Sequence, residues 1–322
     1  MPETLEFEEP IAVLLKEIDA LKALPHTDAR DREIQTLQRR VETVRAELYR
    51  SLTPWQRVLV ARHPNRPDLE DFIQRLFANF VEIHGDRRYA DDHAIMTGFA
   101  EYKGAPVLLV GHVKGRDTKE KIYRNFGYAR PEGYRKALRA MRLAEKFHRP
   151  IVVFVDTPAA YPGIESEERG VAEAIAVNLR EMMTLDTPIV IMVSGEGGSG
   201  GALGIAIGDR VLMQEFAIYS VIPPEGCAAI LWRDATKKIE AAAALKLTAP
   251  DLLKAGIIDE IVAEPAGGAH ADPAAAARQV DEVLTRVLHD VSALDSETRL
   301  TRRYEKFRNM GRLGTDFVDE GS

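Results

Sequence analysis

Residues 189–208 read IVIMVSGEGGSGGALGIAIG, and the fold turns on how this stretch divides. Residues 189–193 are a run rich in β-branched side chains, set off by Pro188 before it and glycine after it. That is the pattern of a buried strand. Glycines follow at 195, 197, 198, 200 and 201, and then a small apolar segment, 202–207, with helical character. A strand that feeds through glycines into a helix start leaves several backbone N–H groups without intrahelical partners. Glycine permits φ > 0 there and lets another molecule come close to the bare amides. Such a turn can hold a negatively charged oxygen, aided by the positive end of the helix dipole.

Three sharper readings of the turn compete. Gly195-x-Gly197-x-x-Gly200 fits the dinucleotide fingerprint, with Glu215 near the spacing of a ribose-binding acid. Against it, Gly208 and Asp209 stop the helix sooner than a Rossmann first helix usually ends. Gly197-x-Ser199-x-Gly201 fits a nucleophile elbow, and Asp259 and His270 follow in hydrolase order. The third reading makes the glycine amides themselves an oxyanion hole, with Ser199 present as a small capping residue. A tight packing turn without a ligand is the bland alternative. The P-loop is excluded because no Gly-Lys-Ser/Thr follows.

The whole chain narrows the class. Its 322 residues can bury a large core, and 45% hydrophobic with 29% charged residues is ordinary for a soluble globular protein. A formal net charge of −7 argues against a nucleic-acid binder. The single cysteine, Cys227, makes neither an internal disulfide nor a cysteine zinc site, so no metal is expected on this chain. The start lacks an apolar signal segment, and no apolar run approaches a membrane span. A cytoplasmic location, away from the membrane, is the expectation.

Helical spacing marks 11–24 and 29–50, parted by Pro25-His26-Thr27-Asp28, as an antiparallel hairpin with a narrow apolar stripe. Region 1–52 is read as this hairpin and as an assembly element, 53–295 as the main domain, and 296–322 as a C-terminal tail that frays from Thr315. Helices are expected at 55–62 and 69–81, then a salt-bridged loop, in preference to a metal site, over 84–93. Strands follow at 95–100 and 107–110 about a Lys103-Gly104 turn. Residues 114–149 carry 12 Lys/Arg against 4 Asp/Glu. A helix at 131–148 is expected to turn Arg135, Lys136, Arg139 and Arg142 outward, as a docking surface for a phosphate-bearing ligand or an acidic partner. Strand 151–155, a helix capped by Ser166-Glu167-Glu168 and running to Thr184, and strand 189–193 repeat strand–turn–helix. That repeat is an α/β architecture.

Several stretches together resemble one family, the alpha subunit of the bacterial acetyl-CoA carboxylase carboxyltransferase, of crotonase-like (ClpP/crotonase) fold. They are FEEPIAVLLKEI at 7–18, ARHPNRP at 61–67, DRRYADD at 86–92, GHVKGRDTKEK at 111–121 and PEGYRKAL at 131–138. The DTPxAYPG frame at 156–163, EERG at 167–170, GEGGSGGALGIAIGD at 195–209, YSVIPPEGCAAILW at 219–232 and PAGGAH at 265–270 complete the set. The resemblance implies a fold of repeated ββα units. It also implies transfer of a carboxyl group from carboxybiotin, covalently held on a separate carrier protein, to acetyl-CoA, giving malonyl-CoA for fatty acid synthesis.

By motif, the amides that stabilise the anionic ureido oxygen of biotin fall on Gly200 and Gly201. Gly198, Ser199, Ala160, Tyr161, Pro162 and Gly163 fall on the substrate-binding wall. The resemblance further implies a beta subunit bearing a four-cysteine zinc ribbon, an α2β2 assembly, a biotin carboxyl carrier protein, and an ATP-dependent biotin carboxylase in the holoenzyme. Ala159, Glu165 and Pro223 depart from the family pattern, which has glycine, a small residue and serine there.

Overall fold

The computed structural model describes residues 4–311. Its centre is one eight-stranded sheet of β1 (Ala78–Glu82), β2 (Ile95–Tyr102), β3 (Ala105–His112), β4 (Ile151–Thr157), β5 (Ile189–Gly198), β6 (Arg210–Gln214), β7 (Ile218–Ser220) and β8 (Glu260–Val262). The order is β1-β2-β3-β4-β5-β6-β8, with β7 paired to the far end of β5. The first three strands are antiparallel, and the pairs from β3 onward are parallel. Lys103 and Gly104, both at positive φ, make the tight β2–β3 turn.

The helices are α1 (Glu9–Lys22), α2 (Asp28–Arg50), α3 (Pro54–Ala61), α4 (Leu69–Leu76), α5 (Thr118–Tyr123), α6 (Pro131–Lys146), α7 (Ile164–Glu168) and α8 (Val171–Thr184). They continue with α9 (Ser199–Leu203), α10 (Pro224–Trp232), α11 (Lys238–Ala244), α12 (Ala249–Lys254), α13 (Pro273–Ser292) and α14 (Ser296–Asn309). Both sheet faces are covered, so β4 and the apolar part of β5 read as continuous hydrophobic runs. Alternate residues go to opposite faces. Ile151, Val153, Val155, Ile189, Ile191 and Val193 pack in one core with Tyr134 and Met141 of α6 and Met182 of α8. Val152, Phe154, Val190 and Met192 pack in the other with Leu69 and Phe72 of α4 and Val280 and Leu284 of α13.

The hairpin forms as its spacing predicts, Ile11, Leu14 and Ile18 of α1 closing on Val41 of α2. It is tied to the body at its foot, where the Tyr49 hydroxyl donates to Glu8 at 2.6 Å and the Tyr49 ring meets Phe216 edge-on. Four expectations are corrected. The helix predicted over 69–81 stops at Leu76, and its aromatic second half becomes edge strand β1, whose Phe80 ring lies over Gly98 of β2. The helix predicted to run to Thr184 is broken by Gly170, which takes φ +76 between α7 and α8. Part of the expected tail, 296–309, is helix α14, with Arg303 buried; Thr315 and beyond lie outside the described residues. Lys136, expected outside, is fully buried and donates to Asp91 at 2.6 Å.

The 84–93 loop is salt-bridged, as expected. Asp86 accepts from the Arg88, Tyr89 and Ala90 amides and from Arg135, while Asp91 takes His84 and Lys136.

Candidate active site

Parallel strands β4 and β5 deliver their ends side by side. Sequence reasoning put all five glycines in a turn. Instead β5 runs through Gly195, Gly197 and Gly198, because each is crowded by a crossing segment. A Cβ on Gly195 would lie 2.3 Å from the Asp156 carboxylate, one on Gly197 2.6 Å from the Tyr219 ring, and one on Gly198 1.9 Å from the Pro158 carbonyl oxygen. The chain turns at Ser199, with φ +48, and α9 is a five-residue helix at 199–203 rather than the expected 202–207.

Among the described residues, neither the Gly200 nor the Gly201 amide donates a hydrogen bond to another element. Two successive donors are thus left at the helix start, Gly200 half-buried and Gly201 buried. The helix beneath them is held. The Tyr134 hydroxyl donates to the Gly201 carbonyl at 3.3 Å, and Asn178 Nδ2 donates to the Gly204 carbonyl at 2.8 Å and the Tyr134 carbonyl at 2.9 Å. The structure brings Ala160 against the turn, since a Cβ on Gly201 would lie 2.4 Å from the Ala160 nitrogen. Tyr161, Pro162 and Gly163 continue outward. The Tyr161 amide donates to Ala129, Arg130 lies over its ring, and the ring folds back on Gly163. On the other side, Ser199, Leu203, Tyr219, Val221, Leu252 and Ile257 border an apolar groove of about 290 Å³.

A network of charged residues supports the strand ends, with Glu196 and Glu225, the nearest pair of glutamates to the turn, in a structural role. Lys114 Nζ reaches Asp156 at 2.6 Å and Glu196 at 2.7 Å, while Arg62 reaches Glu196 and Glu225, both at 2.6 Å. Burial alone would raise the Glu196 carboxyl, but Lys114 and Arg62 outweigh it and hold the group at about 2. Burial, and then the Lys114 charge, push the His112 imidazole down to about 3. Glu196 is thus a permanent anion with both oxygens engaged and His112 is neutral, so neither serves as a proton donor near pH 7. No local signal marks this network, because its members are separated by 40 to 163 residues.

The rival readings of the turn lose their partners. Asp259 accepts from the Val211 amide and Lys306, and His270 stacks on His63 and faces Glu8. Glu215 accepts from the Glu264 amide, and the strand consumes the first glycines of the dinucleotide fingerprint. What remains, among the described residues, is a pair of amides bonded to no other element, next in sequence to Ser199 at the edge of an apolar groove.

A sequence profile described as "Acetyl co-enzyme A carboxylase carboxyltransferase-like" matches residues 4–311. The acetyl-coenzyme A carboxylase carboxyl transferase subunit alpha of Geobacter metallireducens is 55% identical over 310 residues, 96% of this chain and 98% of that protein. The protein of the same name from Oceanobacillus iheyensis is 50% identical over 313 residues, 97% and 99% of the two chains. The chain belongs to the acetyl-CoA carboxylase carboxyltransferase family, on the alpha-subunit side.

It is therefore a carboxyltransferase subunit, and its relatives' name places it in a multisubunit enzyme. The fold agrees with the crotonase-like expectation. A transcarboxylase 12S structure superposes with a TM-score of 0.55 at 21% identity, covering 69% of this chain and 42% of that one. A Pseudomonas malonate decarboxylase hetero-tetramer in complex with coenzyme A gives 0.55 at 18% identity, covering 74% and 95%. Among the described residues no helix is long and apolar enough to cross a membrane, and no group of three or more His, Cys, Asp or Glu could hold a metal ion.

Proposed function

We propose that the chain supplies the biotin-side half of an acetyl-CoA carboxylase carboxyltransferase, with the Gly200 and Gly201 amides as its catalytic groups. The supporting observation is that both N–H groups are unbonded while the carbonyls of their short helix are clamped by Tyr134 and Asn178. The residues fit biotin. The groove beside Ser199 and Leu203 is apolar, as a fused hydrocarbon and thioether ring requires, and paired amides suit an oxygen that gains charge. When bound, carboxybiotin on its separate carrier supplies the carboxyl group and a ureido oxygen that becomes anionic as that group leaves.

This chain's own work is electrostatic. Amides fixed before charge appears need no reorganisation, and one such donor contributes about 3–4 kcal/mol to lowering a barrier. Gly198 and Ala160 bring the two loops together closely enough to form the wall, Ser199 lines the groove, and Tyr161, Pro162 and Gly163 form the outer rim. Binding of acetyl-CoA and its enolate is left to a zinc-ribbon beta subunit in an α2β2 assembly. A biotin carboxyl carrier protein and biotin carboxylase complete a cytoplasmic holoenzyme. Val221, Ile230, Leu231 and Trp232, all strongly exposed around α10, offer the apolar surface such a partner needs. Reconstitution tests the reading. The chain, a beta subunit, a carboxybiotin donor and acetyl-CoA should form malonyl-CoA, and omission of any one should stop it. Turnover without this chain would overturn the assignment.

A further inference from the structure

Half of the twelve Lys/Arg in the basic run 114–149 are neutralised by partners distant in sequence. Lys114, Arg116, Arg124, Arg135, Lys136 and Arg142 each reach a carboxylate. Cations still outnumber anions in a cavity of about 400 Å³ between α6, α8 and the loop at 84–88, which shares no lining residue with the glycine turn or its groove. Five arginines line it, Arg88, Arg135, Arg139, Arg142 and Arg180, against two acids, Asp86 and Glu173.

Asp86 is spent on three backbone amides and Arg135, and Arg142 and Arg180 share the single carboxylate of Glu181. Among the described residues Arg139 makes no salt bridge, and Asp86 and Asp91 act on it only from farther away. Arg139 Nε and Nη2 donate to the Gly85 and His84 carbonyls, which fixes the guanidinium plane. Burial, and then the Arg87 charge, push its pKa down. Such a half-buried, oriented cation is poorly compensated. Arg88 is exposed, and its side chain has no recorded partner among the described residues. Behind these cations the wall is apolar at Leu138, Ala174 and Val177. There fully buried Asn178 carries an Oδ1 that accepts no hydrogen bond.

We propose that this cavity binds an organic polyphosphate. Planar guanidinium groups pair with phosphate oxygens two bonds at a time, and the apolar wall takes the organic body. The phosphates could belong to coenzyme A or to a free nucleotide, and competition separates the two sources.

The full chain, in complex with its partner subunit, is titrated calorimetrically with inorganic tripolyphosphate at low salt. One saturable site per chain is expected, and Arg139→Ala and Arg88→Glu should each weaken it by about tenfold or more. Glu173→Gln should tighten it. Arg286→Ala, which removes a surface arginine of α13 paired with Glu260 of β8, should change nothing. Arg139 also braces the 84–85 loop, so the exposed Arg88→Glu is the variant that carries the test if Arg139→Ala fails to fold. Displacement of tripolyphosphate by coenzyme A but not ADP would place the substrate's phosphates here. Displacement by both would indicate free nucleotides. Absence of saturation, or saturable binding that ignores the Arg88 and Arg139 changes, would overturn the proposal.

Discussion

A methyl group added to Gly200 would meet only Ile175 Cδ1, at 3.5 Å, whereas one on Gly201 would lie 2.4 Å from Ala159 C and Ala160 N. The two catalytic candidates therefore separate chemistry from architecture. Gly200→Val keeps the main-chain N–H but stands an isopropyl group beside it, so it should leave the melting temperature nearly unchanged while lowering kcat by up to about 10²–10³-fold, the cost of an oxyanion kept away from one donor. Gly201→Ala should lower both, because the loop at 158–163 has to move away. Equal turnover in wild type and Gly200→Val would refute the role of that amide. Ser199 holds φ +48, and among the described residues no histidine or carboxylate hydrogen-bonds its hydroxyl. Ser199→Ala should keep most carboxyl transfer, and a fluorophosphonate should not label the chain; labelling at Ser199 would reinstate a nucleophile. The run of glycines was readable as a place where amides stand bare. Which glycines were needed for close packing was not, because Asp156, Pro158 and Tyr219 approach from other segments.

Helix α14 shows what element-scale pattern reading misses. Its sequence, SETRLTRRYEKFRN, is so polar that it reads as tail, yet Arg303 is buried and makes two bonds to Asp209 and three to the Met182, Leu185 and Thr187 carbonyls. Asp209 in turn accepts from the Ile189 amide, so α14 pins the start of β5, the strand that ends at the glycine turn. Arg303→Ala would strand a buried aspartate and should cost about 3–5 kcal/mol in urea unfolding. A loss under about 1 kcal/mol, typical of a surface pair, would show that the contact is idle. The hairpin α1–α2 was legible because apolar spacing and a Thr27 cap are local signals. The 69–81 segment was divided by the sheet edge instead, where pairing with β2 overrode helical spacing.

At the scale of the molecule, paired charges set the response to acid. Burial opposes ionisation of Glu8, Asp91 and Glu196, but their partners outweigh it: His270 and Tyr49 for Glu8, Lys136 for Asp91, and Lys114 and Arg62 for Glu196. All three titrate below the ordinary carboxylate range. Stability from them is complete above about pH 4.5, where the unfolded chain is also ionised, and is lost progressively as pH falls toward 2. Asp68 and Asp92, pushed up to about 6 by burial, work in the opposite sense, gaining stability as pH falls from about 6 to about 4. The melting temperature at constant ionic strength should peak near about pH 5 and fall steeply below about 4. A flat profile from pH 5 to 3 would show that these pairs are not formed. The sequence by itself determined the strand–glycine–helix succession, the hairpin and the family, since all three rest on residues close together in the chain. Only the tertiary structure decided which charges are cancelled. Lys136 went inside and, among the described residues, Arg139 was left without a salt bridge, because a charge is compensated by whatever the fold brings beside it.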